Sequence, residues 1–225
     1  APVFNDGASK TVNFDENATG VLHTAAATDN MGVVAYAFAD GGADNDKFNL
    51  DPATGALTFK TPPDFEAPAS AAGSNIYSVK VKATDAAGNS AEQEVTVHVS
   101  NANEAPTVRA DFAPEDALIE LPHGVLLAGG AGAAMDFADP DASDTLSYSL
   151  VSGAIPGLQL LLNGQVQGTA TQVGSYNVTV RATDAGGLYV DNAYQVQVID
   201  ETNPVFNDGA SKTVNFDENA TGVLH

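Results

Sequence analysis

The 225-residue chain has no cysteine and no tryptophan, and only eight Lys plus Arg stand against 29 Asp plus Glu. Without cysteine there is no disulfide framework, so the stability of an extracellular protein of this size has to come from an apolar core or from bound metal. Without tryptophan, the side chain best suited to stacking on sugars is missing. The net charge of −21 excludes a protein that grips a nucleic-acid phosphate backbone. No apolar run approaches the length of a membrane span and no signal peptide opens the chain, so neither membrane insertion nor a leader is read from it. Histidine is sparse as well. His23, His98, His123 and His225 have no paired nucleophile and no second histidine at metal-ligand spacing, so no catalytic constellation is read and the chain is expected not to be an enzyme. Sequence alone does not exclude a hydrolase carboxylate pair, but junction ligands account better for every acid cluster.

What is present is repetition. Residues 2–23, PVFNDGASKTVNFDENATGVLH, recur unchanged as residues 204–225, an offset of 204 − 2 = 202. A weaker repeat relates VKVKATDAAG at 79–88 to VTVRATDAGG at 178–187, an offset of 178 − 79 = 99. Pro2, Pro106 and Pro204 mark three module starts at similar spacing. Self-similarity at fixed periods identifies a repeat architecture. The expected division is one domain over 1–103, a diverged second over 104–203, and the truncated start of a further repeat over 204–225. The chain therefore reads as a piece of a longer tandem array, used as a spacer or multivalent binder.

Composition is 44% hydrophobic, which with regular patterning excludes an acidic disordered tail. Short alternating runs predict strands at 10–14, 33–38, 56–60, 76–83 and 94–99 in the first module. The second has them at 145–150, 158–162, 165–169, 176–182 and 193–199. Turn formers such as Asp51-Pro52-Ala53-Thr54-Gly55 and Asp85-Ala86-Ala87-Gly88-Asn89 separate them, and no helical period is sustained. The fold class is all-β: two tandem Greek-key, immunoglobulin-like β-sandwiches plus the first strands of a third. The Gly/Ala run 126–137 is read as a loop entering a strand, since no Gly-Lys-Ser/Thr follows to bind phosphate. Tyr77 and Tyr176, at one repeat position, are expected in the core or a corner, leaving Tyr189 and Tyr194 free of a clear core role.

The acids collect in loops at strand ends. The sets are Asp15-Glu16-Asn17, Asp29-Asn30, Asp64-Phe65-Glu66 and Asp85; Asn101, Asn103 and Glu104; and Asp139-Pro140-Asp141, Asp144, Asp184 and Asp200. Asp40 and Asp51 are read as turn residues alone. Glu16, Asp64 and Glu66 are not, because Glu is a poor turn former and clustered carboxylates repel without a cation. Calcium takes six to eight oxygen ligands, more than any one set supplies, and no EF-hand loop is present.

On Pro2-Val3-Phe4, Glu16-Asn17, FNLDPATGALTF (48–59), Asp64-Phe65-Glu66, ATDAAGNSA (83–91) and NANEAP (101–106), the first module resembles a bacterial cadherin domain. On FADPDASDTLSYSL (137–150), IPGLQL (155–160), GQVQGTATQVGSYNVTVRATDAGG (164–187) and Asp200, the second resembles the dystroglycan-type cadherin-like domain of large bacterial surface proteins. The resemblance implies Ca2+ between consecutive domains. Glu16, Asp64, Glu66, Asn101, Asn103 and Glu104 would face Asp139, Asp141 and Asp184, while Asp29 and Asp85 would point to whatever module precedes residue 1. The family's Asp-x-Asp is reduced to Asp29-Asn30-Met31, the linker has Ser100 and Ala102 where fuller motifs carry Asp and Asn, and Gly168-Thr169 replaces the second module's Asp-x-Glu. A stronger junction is thus expected near 100–106 and a weaker one, with Asp200, near 199–204.

The expected function is a calcium-rigidified repeat of a large bacterial surface or secreted adhesin, acting in adhesion or biofilm. Its partners would be neighbouring repeats, with self-association or cell-surface polysaccharide as further possibilities. The alternative is a carbohydrate-binding module. Because 204–225 copies 2–23, strand exchange between molecules is a further expectation, against a frayed tail.

Overall fold

A computed structural model describes residues 1–109, 118–122, 126–127 and 137–200. The repeated segment 204–225, and with it the strand-exchange question, lies outside the described residues, as do His123 and most of the Gly/Ala run. Two compact units emerge. The first holds Ala1–Glu104 together with Pro140–Ser143, and the second the described residues of Ala105–Asp139 and those from Asp144 onward.

In the first unit, β1 (Val3–Phe4) pairs with β4 (Ala27–Thr28). One sheet runs β2 (Ser9–Asp15), β9 (Ser90–Ser100), β8 (Ile76–Asp85), β5 (Val33–Phe38), and the other β3 (Val21–Thr24), β7 (Ala56–Phe59), β6 (Phe48–Leu50). The long central strands form because β-branched residues alternate with polar ones. Tyr77, Val79, Val81 and Ala83 of β8 turn inward beside Val95, Val97 and Val99 of β9, and all are buried. Phe48 and Leu57 close the core from the facing sheet. Tyr77 meets the Phe59 ring edge-on at 5.2 Å and 84°, and its hydroxyl accepts the Ala69 N–H at 3.1 Å. That bond lets a tyrosine sit in the core without an orphaned hydroxyl. β2 joins β9 in parallel, from Ser9 opposite Glu94 to Asp15 opposite Ser100, which demands the long crossover of a Greek key.

The second unit repeats this order strand for strand. β10 (Thr107–Val108) pairs with β13 (Phe137–Ala138). The larger sheet runs β11 (Leu118–Pro122), β18 (Tyr189–Ile199), β17 (Gly174–Thr183), β14 (Ser147–Ser152), again with its first pair parallel. The smaller runs β12 (Leu126–Leu127), β16 (Val166–Thr169), β15 (Leu158–Leu160). The offset-99 repeat therefore falls on β8 and β17, the central strands of equivalent sheets. Tyr148, Val178, Val180, Ala182 and Val196 fill the core. Tyr194 corrects an expectation: it lies in that core at 3% exposure, because it stands on the inward register of β18 with Val196 and Val198. Tyr189, five residues earlier, is outward and exposed. Gly157 and Gly168 have φ of +87° and +117°, and a Cβ on either would strike the other strand's backbone, so this crossing needs glycine twice.

Leu57 is fully buried. Leu57→Ala is expected to lower the unfolding free energy of the first unit by about 2–5 kcal/mol in a urea titration, while Val21→Ala, at an exposed position, changes it by no more than about 0.5 kcal/mol.

Candidate metal centre

The first unit builds its acidic cluster around Glu16. β2 ends at Asp15 and the Glu16 N–H still reaches the Ser100 carbonyl at 3.0 Å, so the edge pairing carries the residue inward. Asn17 then takes φ +58°, a left-handed turn that asparagine tolerates, and its N–H bonds the Pro63 carbonyl at 2.9 Å. The buried Glu16 carboxylate is clamped from two loops. Its Oε2 accepts the Phe65 N–H at 2.7 Å and its Oε1 the Ala102 N–H at 2.9 Å. Charge-assisted bonds of this kind are what make a buried carboxylate tenable.

Around this fixed charge gather Glu66 and Glu104, one carboxylate oxygen of each of the three lying within 4.8 Å of the others. Two amides feed the group: Asn17 Nδ2 donates to Glu104 Oε1 at 2.7 Å, and Asn101 Nδ2 to Glu66 Oε1 at 3.2 Å. The Glu104 N–H donates to Asp141 Oδ2 at 2.9 Å, and Asp141 is buried. Loss of hydration first, then the negative fields of Glu16 and Asp141, raise the Glu66 carboxyl above its ordinary value of 4.5. Like unit charges about 4 Å apart repel by about 4 kcal/mol at an effective dielectric near 20. The cluster is thus a place of unspent negative potential that a cation or protons would relieve.

Calcium fits this donor set. Its oxygen ligands sit at about 2.3–2.6 Å, so any two on one ion lie within about 5 Å of each other; the 4.8 Å span meets that limit. All donors are hard oxygens, and no sulfur exists in the chain to favour a softer metal outside its two methionines.

A second triad stands in the second unit, with Asp139, Asp144 and Asp184 oxygens within the same 4.8 Å. Asp184 closes the β17–β18 hairpin, accepting the Leu188 N–H at 2.8 Å on Oδ1. Asp85 closes β8–β9 likewise, taking N–H bonds from Ala87 and Asn89 and the Asn89 side-chain amide at 3.0 Å. The Asn89 side chain above all holds Asp85 below its ordinary value. Asp29 follows β4 as Asp139 follows β13, and the Ala1 ammonium stands 3.2 Å from Asp29 and 3.8 Å from Asp85.

Of the residues singled out from sequence, Glu16, Glu66 and Glu104 come together, with Asn101 bonded to Glu66 and Asp141 to Glu104. Asp139 and Asp184 come together with Asp144, and Asp29 with Asp85. Asp64 instead stabilises its own loop, accepting the Ala67 N–H at 2.8 Å. Asn103 is exposed, its amide 3.5 Å from the Glu104 carbonyl, and Asp200 is exposed at the end of β18, outside both triads. Asp144 is the addition. Three acids within six residues, Asp139 to Asp144, were its signal, and only the turn into β14 brings the third one back. Asp51 makes a local turn, accepting the Ala53 and Thr54 N–H groups.

Comparison with known proteins finds a family match for part of each unit. Residues 10–100 match the family described as Cadherin domain, and residues 132–199 that described as Putative Ig domain. Cadherin domains are extracellular, non-enzymatic adhesion repeats that bind calcium. Protocadherin Fat 2 of Rattus norvegicus is 33% identical over 150 residues, which is 62% of this chain but 3% of that protein. Among solved structures, human CDH23 EC21-23 is similar over 92% of this chain and 72% of its own, at 22% identity and a TM-score of 0.60. Drosophila N-cadherin EC1-4 is similar over 89% of this chain and 50% of its own, at 17% identity and 0.61. These two likenesses carry the fold. No helix of the described residues is long and apolar enough to cross a membrane.

The raised Glu66 carboxyl gives a pH dependence with a definite sign. The native state keeps that proton to higher pH than the unfolded chain, so protonation stabilises the fold at low pH and this contribution is lost as pH rises past 4.5 through the raised value. In chelator, Glu66→Gln is expected to be more stable than the wild type at pH 7 and equal to it near pH 4, read by thermal melting. A difference that does not change with pH would contradict the electrostatic origin.

Proposed function

We propose that the chain is a calcium-stiffened extension and adhesion repeat of a large bacterial cell-surface or secreted adhesin, acting without catalysis. The observation that carries the reading is the Glu16–Glu66–Glu104 triad, two carboxylates gathered beside a buried, amide-clamped glutamate. Ca2+ would be held there by Glu16, Glu66 and Glu104, with Asn101, Asn103 and Asp64 available from the same loops and Asp141 from the loop after β13. Asp139, Asp184 and Asp144 would serve a second site, Asp29 and Asp85 a third, and Asp200 a weaker one.

Without the ion, mutual repulsion of the carboxylates favours loosening of the segment Ser100–Pro106. With it, the charges are bridged and the segment is fixed, so a run of such modules resists bending. Asn101 contributes on either side of that change: its amide now donates to Glu66, and turned over it offers an oxygen. The 22-residue segment that recurs unchanged at an offset of 202 supports a spacer used many times over, and the dystroglycan-type resemblance of the second module supports a bacterial surface setting. Neighbouring repeats are the first partners, and self-association a further one.

Calcium calorimetry tests this. Saturable binding is expected, with a rise in melting temperature, since an ion at one hundred times its Kd stabilises the native state by about 2.7 kcal/mol. Glu66→Ala and Asp141→Ala should each weaken binding about tenfold or more. Affinity unchanged in both variants would overturn the assignment.

A further inference from the structure

Away from the acid triads, the first unit has a cavity of about 450 Å³ between the 3-10 turn at Asn45–Lys47 and the loop Lys60–Ala69. Its volume falls within the range of small-molecule sites, about 300–1,000 Å³. Lys47 and Lys60 both line it, two of only eight Lys plus Arg in the whole chain. They are brought side by side by the bond from the Lys60 N–H to the Lys47 carbonyl at 2.9 Å. The ammonium of Lys47 pairs with Asp46 Oδ2 at 3.2 Å. Lys60 Nζ instead donates to the Asp46 backbone carbonyl at 2.7 Å, a neutral group, and among the described residues no carboxylate stands within ion-pair distance of it. Of the three N–H donors of its ammonium, two remain beyond the one given to the Asp46 carbonyl.

The floor is apolar. Phe59 lies there, locked against Phe48 at 4.3 Å and Tyr77 at 5.2 Å, and Pro62 and Pro63 form the wall beside it. Asp46, Thr61 and Asp64 also line it. We propose that this cavity binds a carboxylated sugar ring, a hexuronate. Its carboxylate would meet the Lys60 and Lys47 ammoniums, its C–H face the Phe59 and proline surface, and its hydroxyls Asp46, Thr61 and Asp64. The hydroxyls decide the class. A hydroxyl-free anion would bring its own negative charge against Asp46 and Asp64 and offer them no donor, whereas sugar hydroxyls donate to those carboxylates. A neutral sugar would leave the Lys60 charge unanswered. The exposed Tyr189 is a weaker sugar platform, because the Arg181 guanidinium already stacks on it at 3.5 Å while bonded to Asp191.

The test is a ligand titration of the protein by calorimetry in chelator, which removes any carboxylate bridged through calcium and separates this site from the triads. Saturable binding of glucuronate is expected, with glucose and acetate each at least tenfold weaker. Lys60→Ala should weaken glucuronate about tenfold and Lys47→Ala should also weaken it, both with melting temperatures unchanged because these side chains are at the surface. Oligomers binding more tightly than the monosaccharide would support a polysaccharide as the source, and equal affinity a free sugar. Acetate binding as well as glucuronate, or glucuronate affinity unaltered in both lysine variants, would overturn the proposal.

Discussion

The candidate site depends on the buried Glu16 carboxylate and its two backbone donors. A charge removed from water needs replacement partners, and here the Phe65 and Ala102 amides supply them from two different loops. The same bonds tie the end of β2 to the loop carrying Glu66 and to the segment leading to Glu104. Beside that fixed charge stand the exposed Glu66 and the half-buried Glu104, each with a carboxylate oxygen within 4.8 Å of the others. Repulsion among them becomes a built-in demand for a cation, met in part by the Asn17 and Asn101 amides.

The two units share a strand order but spend their acids differently. In both, an aspartate at the end of the central hairpin organises its own turn, Asp85 through Asn89 and Asp184 through Leu188. Leucine lacks the side-chain amide that Asn89 offers, so the Asn89 Nδ2 bond to Asp85 has no counterpart from Leu188. After β4 the first unit has Asp29 followed by Asn30 and Met31, and after β13 the second has Asp139 and, a few residues on, Asp144. The acid density that separates an aspartate pair from a triad is thus a property of this one loop, grafted on equivalent scaffolds.

The long strands could be read from the chain because each carries enough residues for the two-residue period to show: IYSVKVKA became Ile76–Asp85 and YNVTVRA part of Gly174–Thr183. Two- to four-residue strands such as Val3–Phe4, Val21–Thr24 and Phe48–Leu50 show no period at all, and only their partners define them. The polar core escaped notice for a related reason. Asp44 looks like one more acid in a turn, yet it is buried, taking the Ala71 N–H at 2.5 Å and the Ser78 N–H at 2.8 Å. Gln93 is buried between His23 and the Gly7 carbonyl, a long-range pairing that local sequence does not encode. Among the acids, glutamates at turn positions stood out because turns do not select them; aspartates gave no such contrast, and Asp144 and Asp64 were separated only by the fold.

The central claim is that Glu16, held by its two amides, collects the carboxylates of a calcium site. Following backbone amide resonances by NMR during a calcium titration tests it most directly. The account predicts that the earliest and largest shifts fall on Phe65, Ala102 and Glu104, saturating together. Shifts spread evenly over the acidic surface, or none at those three amides, would contradict it.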